Sequence, residues 1–118
     1  MTILLVEDEA QIRTIAATVL RRDGHEVLEA ADGDQALFLL KEGVSIRALI
    51  TGIRMPGADG WAVARAYREQ FPDLPVLYAT GFYDEMLAVP RGVILEKPYR
   101  PSRLVLAVRE LLGSPDGL

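Results

Sequence analysis

Short apolar runs that alternate with longer amphipathic segments are the feature that most constrains the fold of this chain. The runs are four to six residues long and occupy residues 2–6, 27–30, 48–51, 75–80 and 92–96. Continuous apolar character over so few residues is typical of strands that are buried on both faces. Their alternation with helical segments predicts a doubly wound parallel sheet, with helices on both faces and right-handed crossovers.

The segments between and after these runs carry apolar residues at helical spacing. Helices are predicted over residues 10–22, from an N-cap at Asp32 to Gly43, over 61–70, and from Pro101 to 112. The crossover after the fourth run is the exception. Only residues 84–88 have helical character there, and nearby Gly and Pro residues crowd them. We therefore expect the fourth helix to be short or irregular.

Composition excludes several classes of function. A chain of 118 residues forms one domain, which we place at residues 1–112, with 113–118 as a tail or truncated linker. A net charge of −4 argues against direct binding to nucleic acid, which needs a basic face. The chain has no cysteine, no apolar run near the roughly 20 residues of a membrane span, and no basic leader. We expect a cytoplasmic monomer or weak dimer.

Polar residues stand at the ends of three of the predicted strands, and a glycine stands at the end of another. Glu7 and Asp8 follow the first strand, Gly52 the third and Lys97 the fifth, while Thr80 closes the fourth. Ligand sites in such sheets lie beyond the carboxyl ends of the strands. Adjacent carboxylates suit a hard cation such as Mg²⁺, and a hydroxyl and an ammonium can hold phosphoryl oxygens. The pattern therefore predicts a phosphoryl and metal site, to which Gly52 contributes no side chain.

Each of these residues also has a purely structural interpretation. Glu7 and Asp8 can be solvated charges before a helix, Thr80 an ordinary strand residue, and Lys97 a surface lysine. The coincidence of all of them at strand ends favours the site.

Four motifs in this order resemble the response-regulator receiver domains of two-component signalling. They are Leu5–Glu9, Ile53–Gly60, Ala79–Gly81 and Glu96–Tyr99. The resemblance covers Thr2 to Leu112. In particular, the chain resembles single-domain receivers or hybrid-kinase receivers that have a short fourth crossover. It implies a flavodoxin-like α/β fold with a five-stranded parallel sheet in the order 2-1-3-4-5.

The resemblance also implies roles for individual residues. Gly52 stands where these domains carry the aspartate that accepts a phosphoryl group, and Thr80 and Lys97 would bind that group. The bond between Lys97 and Pro98 would be cis. The ligands of a weakly bound Mg²⁺ would be Glu7, Asp8 and the backbone carbonyl of Arg54.

Three functions remain open on this basis. The first is a receiver module of a phosphorelay, with a histidine kinase or a histidine phosphotransfer domain as partner, that is deficient in its phosphoacceptor as written. The second is a natural pseudo-receiver that binds proteins without phosphorylation. The third, a Mg²⁺-dependent phosphatase-like enzyme, is disfavoured because Gly52 offers no nucleophile, and we expect no enzymatic activity.

Overall fold

The computed structural model describes residues 2–82 and 92–113. The described strands are β1 (Thr2–Val6), β2 (Glu26–Ala30), β3 (Ala48–Gly52), β4 (Val76–Thr80) and β5 (Val93–Glu96). The described helices are α1 (Ala10–Arg22), α2 (Gly33–Lys41), α3 (Gly60–Gln70) and α4 (Pro101–Leu112). The predicted segments agree with these bounds to within one or two residues. The expected short fourth helix lies in 83–91, outside the described residues, as do Met1 and residues 114–118.

The five strands form one parallel sheet in the order β2-β1-β3-β4-β5, which confirms the predicted fold. Every residue of β3 and β4 is buried. This burial explains why the central strands have continuous apolar sequences instead of alternating ones. Among the described helices, none has the length and apolar character that crossing a bilayer requires.

The sheet separates two hydrophobic cores, and the alternation of side chains along β1 shows how. Ile3 and Leu5 pack into the core beneath α1 and α4, whereas Leu4 and Val6 pack into the core beneath α2 and α3. The second core contains Tyr67, whose hydroxyl donates a 2.7 Å hydrogen bond to the Ala36 carbonyl. That bond ties α3 to α2, and burial raises the pKa of Tyr67 to about 12.

Local signals set the helix ends. The Asp32 side chain accepts a 2.8 Å hydrogen bond from the Gln35 N–H, as the predicted N-cap requires. The Gln35 side chain in turn accepts from the Ala31 N–H at 2.8 Å, one residue before the donor that a capping box uses. The bond between Lys97 and Pro98 is cis, as expected.

Candidate functional site

The carboxyl ends of β1, β3, β4 and β5 lie along one edge of the sheet and bring together the residues that the sequence singled out. Glu7 directly follows β1, Gly52 ends β3 and Thr80 ends β4. The N–H of Lys97, just after β5, donates a 2.8 Å hydrogen bond to the Thr80 carbonyl. Glu7, Gly52 and Thr80 are buried and Lys97 is partly buried, whereas Asp8 is exposed. Most of the site is thus buried at the edge of the sheet, and only the Asp8 carboxylate is exposed to solvent.

A short ion pair joins two of these residues. The Lys97 Nζ lies 2.7 Å from Glu7 Oε1, and the two side chains are 22% and 4% exposed. The second oxygen, Oε2, accepts a 3.1 Å hydrogen bond from the Glu9 N–H. Both oxygens of the buried carboxylate therefore have a donor, which is what a charge in a low-dielectric setting needs.

Further hydrogen bonds, one donated and one accepted by the Glu7 backbone, hold the turn after β1. The Glu7 N–H donates to the Ala30 carbonyl at 3.1 Å. The Arg13 guanidinium donates to the Glu7 carbonyl at 2.6 Å. These bonds fix the backbone from which the Glu7 carboxylate projects.

Gly52 leaves room for a side chain at the end of β3. A Cβ built there would lie 3.7 Å from the Met55 Cγ and Sδ, an ordinary van der Waals distance. Its φ lies outside the left-handed region that favours glycine. The loop beyond turns back tightly, because the Gly60 N–H donates to the Ile53 carbonyl at 2.8 Å. Neither the space nor the backbone angle explains why glycine stands at position 52.

Two loops meet over this edge of the sheet. The Arg54 guanidinium, from the loop after β3, stacks 3.7 Å from the centroid of the Phe82 ring, which follows β4. The Phe82 N–H donates a 3.0 Å hydrogen bond to the Thr80 hydroxyl oxygen. The Thr80 hydroxyl is therefore already part of a turn. The sequence did not predict the Arg54–Phe82 contact, since nothing in local spacing indicates it.

The loop after β3 is also anchored to α2. Asp34 Oδ1 accepts a 3.1 Å hydrogen bond from the Ala58 N–H. Asp59 caps α3 by accepting a 2.9 Å bond from the Ala62 N–H. These contacts fix the loop that carries the Arg54 backbone carbonyl.

A groove beside the site runs between α1 and the segment that follows β5. It has a volume of about 380 Å³, and Ile12, Ile15, Pro98 and Tyr99 supply much of its apolar wall. Lys97 and Glu9 line it as well, so the Glu7–Lys97 pair borders it. Burial, and then the charge of Glu7, raise the pKa of Tyr99 to about 12. The phenol is thus neutral at physiological pH.

The residues expected to hold Mg²⁺ are Glu7, Asp8 and the Arg54 backbone carbonyl, and protein donors already contact the first of them. Magnesium requires near-ideal octahedral geometry with oxygen ligands. Glu7 has both oxygens occupied by hydrogen-bond donors, and position 52 offers only backbone atoms. Across residues 2–82 and 92–113, no three His, Cys, Asp or Glu side chains form a group that could hold a metal ion.

Comparison with known proteins decides the family. The family model described as "Response regulator receiver domain" matches residues 3–109. The chain belongs to the response regulator receiver domain family. It is 31% identical over 121 residues to the sensor kinase CckA of Brucella abortus (strain 2308), covering 98% of this chain and 13% of that protein. It is 33% identical over 116 residues to the aerobic respiration control protein ArcA of Escherichia coli (strain K12), covering 94% and 48%.

Solved structures of receiver domains support the same family assignment. A response regulator receiver protein from Sinorhizobium medicae WSM419 superposes with a TM-score of 0.88 at 36% identity, over 97% of this chain and 95% of that one. The receiver domain of the hybrid histidine kinase CckA gives a TM-score of 0.83 at 36% identity, over 96% and 100%.

The chain thus spans about an eighth of the CckA sensor kinase and about half of ArcA. Receiver domains are generally non-enzymatic signalling modules of two-component response regulators. They interact with histidine kinases or phosphotransfer partners and typically bind Mg²⁺ at the phosphorylation site.

Proposed function

We propose that this chain is the receiver module of a two-component phosphorelay and that it is deficient in its phosphoacceptor as written. The observation that carries the proposal is the glycine that ends β3, beside a strand-end lysine and threonine. A phosphoryl group needs an oxygen nucleophile to attack phosphorus, and position 52 has none. For the same reason we propose that the chain is not an enzyme.

The remaining residues would act on a phosphoryl group and a metal ion. We assign phosphoryl binding to Thr80 and Lys97, whose hydroxyl and ammonium suit phosphoryl oxygens. We assign weak Mg²⁺ binding to Glu7, Asp8 and the Arg54 backbone carbonyl. The weakness follows from the donor set, since one expected carboxylate is missing and another is paired with Lys97.

A second candidate function is a natural pseudo-receiver that binds a protein partner independently of phosphorylation. The Glu7–Lys97 pair supports it, because the two side chains balance each other's charge within the protein. Both candidates share a partner surface. The groove along α1 is apolar, and Ile15 beside it is 54% exposed.

For either candidate we propose a cytoplasmic protein, a monomer or weak dimer, with no direct contact to nucleic acid or membrane. Its partner would be a histidine kinase or a histidine phosphotransfer domain. An apolar groove of this size accommodates side chains from an amphipathic helix, and the neighbouring charges would fix the register.

The first experiment distinguishes the phosphorelay receiver from the pseudo-receiver. A histidine phosphotransfer domain that carries phosphohistidine is mixed with the chain and with Gly52→Asp, and loss of phosphohistidine is followed. We expect transfer to Gly52→Asp and none to the chain as written. Transfer to the unmodified chain would refute the deficiency, and no transfer to Gly52→Asp from any cognate donor would favour the pseudo-receiver.

The second experiment tests the partner surface. Ile15→Glu should weaken binding to the phosphotransfer domain, because it places a charge in an apolar contact. Phe38→Glu is the matched control, since Phe38 lies on α2, away from the groove, and is 59% exposed. Equal binding by the two variants, measured by calorimetry, would place the partner elsewhere.

A further inference from the structure

We propose that one side of α2 is a self-association surface, and that its partner is a second copy of this chain packed antiparallel along the same helix. The surface consists of Asp34, Leu37, Phe38 and Lys41, which we call the α2 stripe. None of these residues belongs to the strand-end site. The proposal gives the weak dimer of the proposed function an interface, and it does not depend on phosphotransfer.

The spacing of the α2 stripe puts its residues on one side of the helix. The four positions follow the pattern i, i+3, i+4 and i+7, at which helical side chains share a face. Other residues of α2 serve the interior, since Ala36, Leu39 and Leu40 pack into the second core. Among the described residues, Leu37 and Phe38 belong to neither hydrophobic core. The apolar part of the stripe is therefore not needed to hold α2 on the sheet.

A groove lies beside the exposed aromatic ring of the stripe. Phe38 is 59% exposed. All four residues of the stripe, together with Gln70 of α3, line a groove of about 390 Å³. Single exposed apolar side chains are common on protein surfaces, but this ring stands next to a concave surface that can receive another ring. Burying it there would remove apolar area from water.

The order of charges along the stripe selects the partner and its direction. Asp34 lies in the first turn of α2 and Lys41 in the last, and both are exposed. Leu37 and Phe38 stand midway between them. A two-fold axis at this midpoint brings Asp34 of each copy opposite Lys41 of the other, whereas parallel packing would place like charges together. The stripe is thus complementary to itself, as an interface with two-fold symmetry requires.

The size of the stripe indicates a weak dimer. The Asp34 carboxylate is held in place by the Ala58 N–H, so little of its freedom is lost when it pairs. However, α2 has only nine residues, and two such helices bury less than the roughly 1,200 Å² of a stable complex. We therefore expect association that depends strongly on protein concentration.

Sedimentation equilibrium tests the surface. The average mass of the unmodified chain should rise towards that of two chains between about 10 μM and about 1 mM. Phe38→Glu should remain a monomer. Ile15→Glu is the matched control, because Ile15 is 54% exposed on α1, and it should associate like the unmodified chain. A monomeric unmodified chain, as expected if the stripe holds a helix of another protein, would overturn the proposal, and so would equal masses of the two variants.

Mixing two variants tests the antiparallel pairing. Asp34→Lys and Lys41→Asp each put like charges opposite each other in their own dimers, but an equimolar mixture restores two opposite-charge pairs. The mixture should associate about tenfold more tightly than either variant alone. A mixture that associates no better than its components would contradict the pairing.

If Asp34→Lys does not fold, Lys41→Asp is compared with Arg22→Asp. Arg22→Asp makes the same charge change at an exposed position near the end of α1. Lys41→Asp should weaken association several-fold more than Arg22→Asp, because only Lys41 faces a carboxylate of the second copy. Equal weakening would count against the proposal. Neither experiment involves phosphotransfer, so a negative result here leaves the receiver function untouched.

Discussion

Restoring a carboxylate at the end of β3 is the perturbation whose energetics the structure defines best. In Gly52→Asp the new Cβ meets only Met55, at 3.7 Å, and the backbone angle at position 52 suits any residue. Replacing glycine at such a position stabilises a protein by about 0.4–1 kcal/mol, because the unfolded chain loses freedom. Packing therefore does not oppose the change.

Electrostatic repulsion between carboxylates opposes the Gly52→Asp substitution only in part. Two unit charges about 4 Å apart near a protein surface interact with about 4 kcal/mol. We expect repulsion from Glu7 and attraction to Lys97 largely to cancel, because these two opposite charges are in direct contact with each other. The remainder is repulsion from the exposed Asp8, worth under about 1 kcal/mol and screened by salt. Without Mg²⁺ we expect the variant to be slightly less stable at low salt and nearly equal at high salt, within about 1 kcal/mol.

Mg²⁺ should then separate the two proteins. A ligand at 100 times its dissociation constant stabilises the folded state by about 2.7 kcal/mol. If the third carboxylate tightens binding about tenfold, the variant gains about 1.4 kcal/mol more than the unmodified chain. For a domain of this size that is a difference of roughly 5 °C in melting temperature.

The assay is thermal and urea unfolding of both proteins, with and without Mg²⁺, at two salt concentrations. Gly81→Asp is the control for a carboxylate placed elsewhere at the same edge of the sheet, since Gly81 follows β4 and a Cβ there would have only ordinary contacts, the nearest with the Lys97 carbonyl oxygen at 3.7 Å. An equal Mg²⁺-induced rise in Gly52→Asp and the unmodified chain would show that position 52 is not a metal-ligand position.

Three further predictions concern stability. Tyr67→Phe should cost about 1 kcal/mol in urea unfolding, because it removes the hydrogen bond to Ala36. The folded-state pKa of Tyr67, about 12, lies above its ordinary value of 10.0. The contribution of Tyr67 to the free energy of unfolding is therefore complete below about pH 10 and is lost as the pH rises towards 12. Tyr67→Phe should reduce this loss of stability at alkaline pH, as measured by unfolding curves. Gly60→Ala should cost more than about 2 kcal/mol, since its Cβ would lie 2.1 Å from the Gly52 carbonyl oxygen, whereas Gly81→Ala should be neutral or mildly stabilising.

The sequence predicted the scaffold because its signals are local. Runs of buried apolar residues, the Asp32 cap and Pro101 at the start of α4 each act over a few residues. The strand-end positions followed from parallel topology alone. Placement of Glu7, Thr80 and Lys97 at one edge therefore needed no knowledge of side-chain conformation.

The partners of these side chains could not be predicted in the same way. Lys97 follows Glu7 by 90 positions in the sequence, and the fold places the Lys97 ammonium against the buried Glu7 carboxylate. The Arg54–Phe82 stack and the groove along α1 likewise join segments that are distant in sequence. Residue types at strand ends predicted which chemistry is present, and only the three-dimensional arrangement shows how the charges are paired.

The measurement that tests the central claim most directly is the intact mass of the unmodified chain after exposure to a small acyl-phosphate donor and Mg²⁺. Gly52→Asp is treated in parallel as the positive control. We expect one phosphoryl adduct on Gly52→Asp, mapped to position 52, and none on the unmodified chain. A phosphoryl adduct mapped to Glu7, Asp8 or any other carboxylate of the unmodified chain's strand-end site would contradict the account.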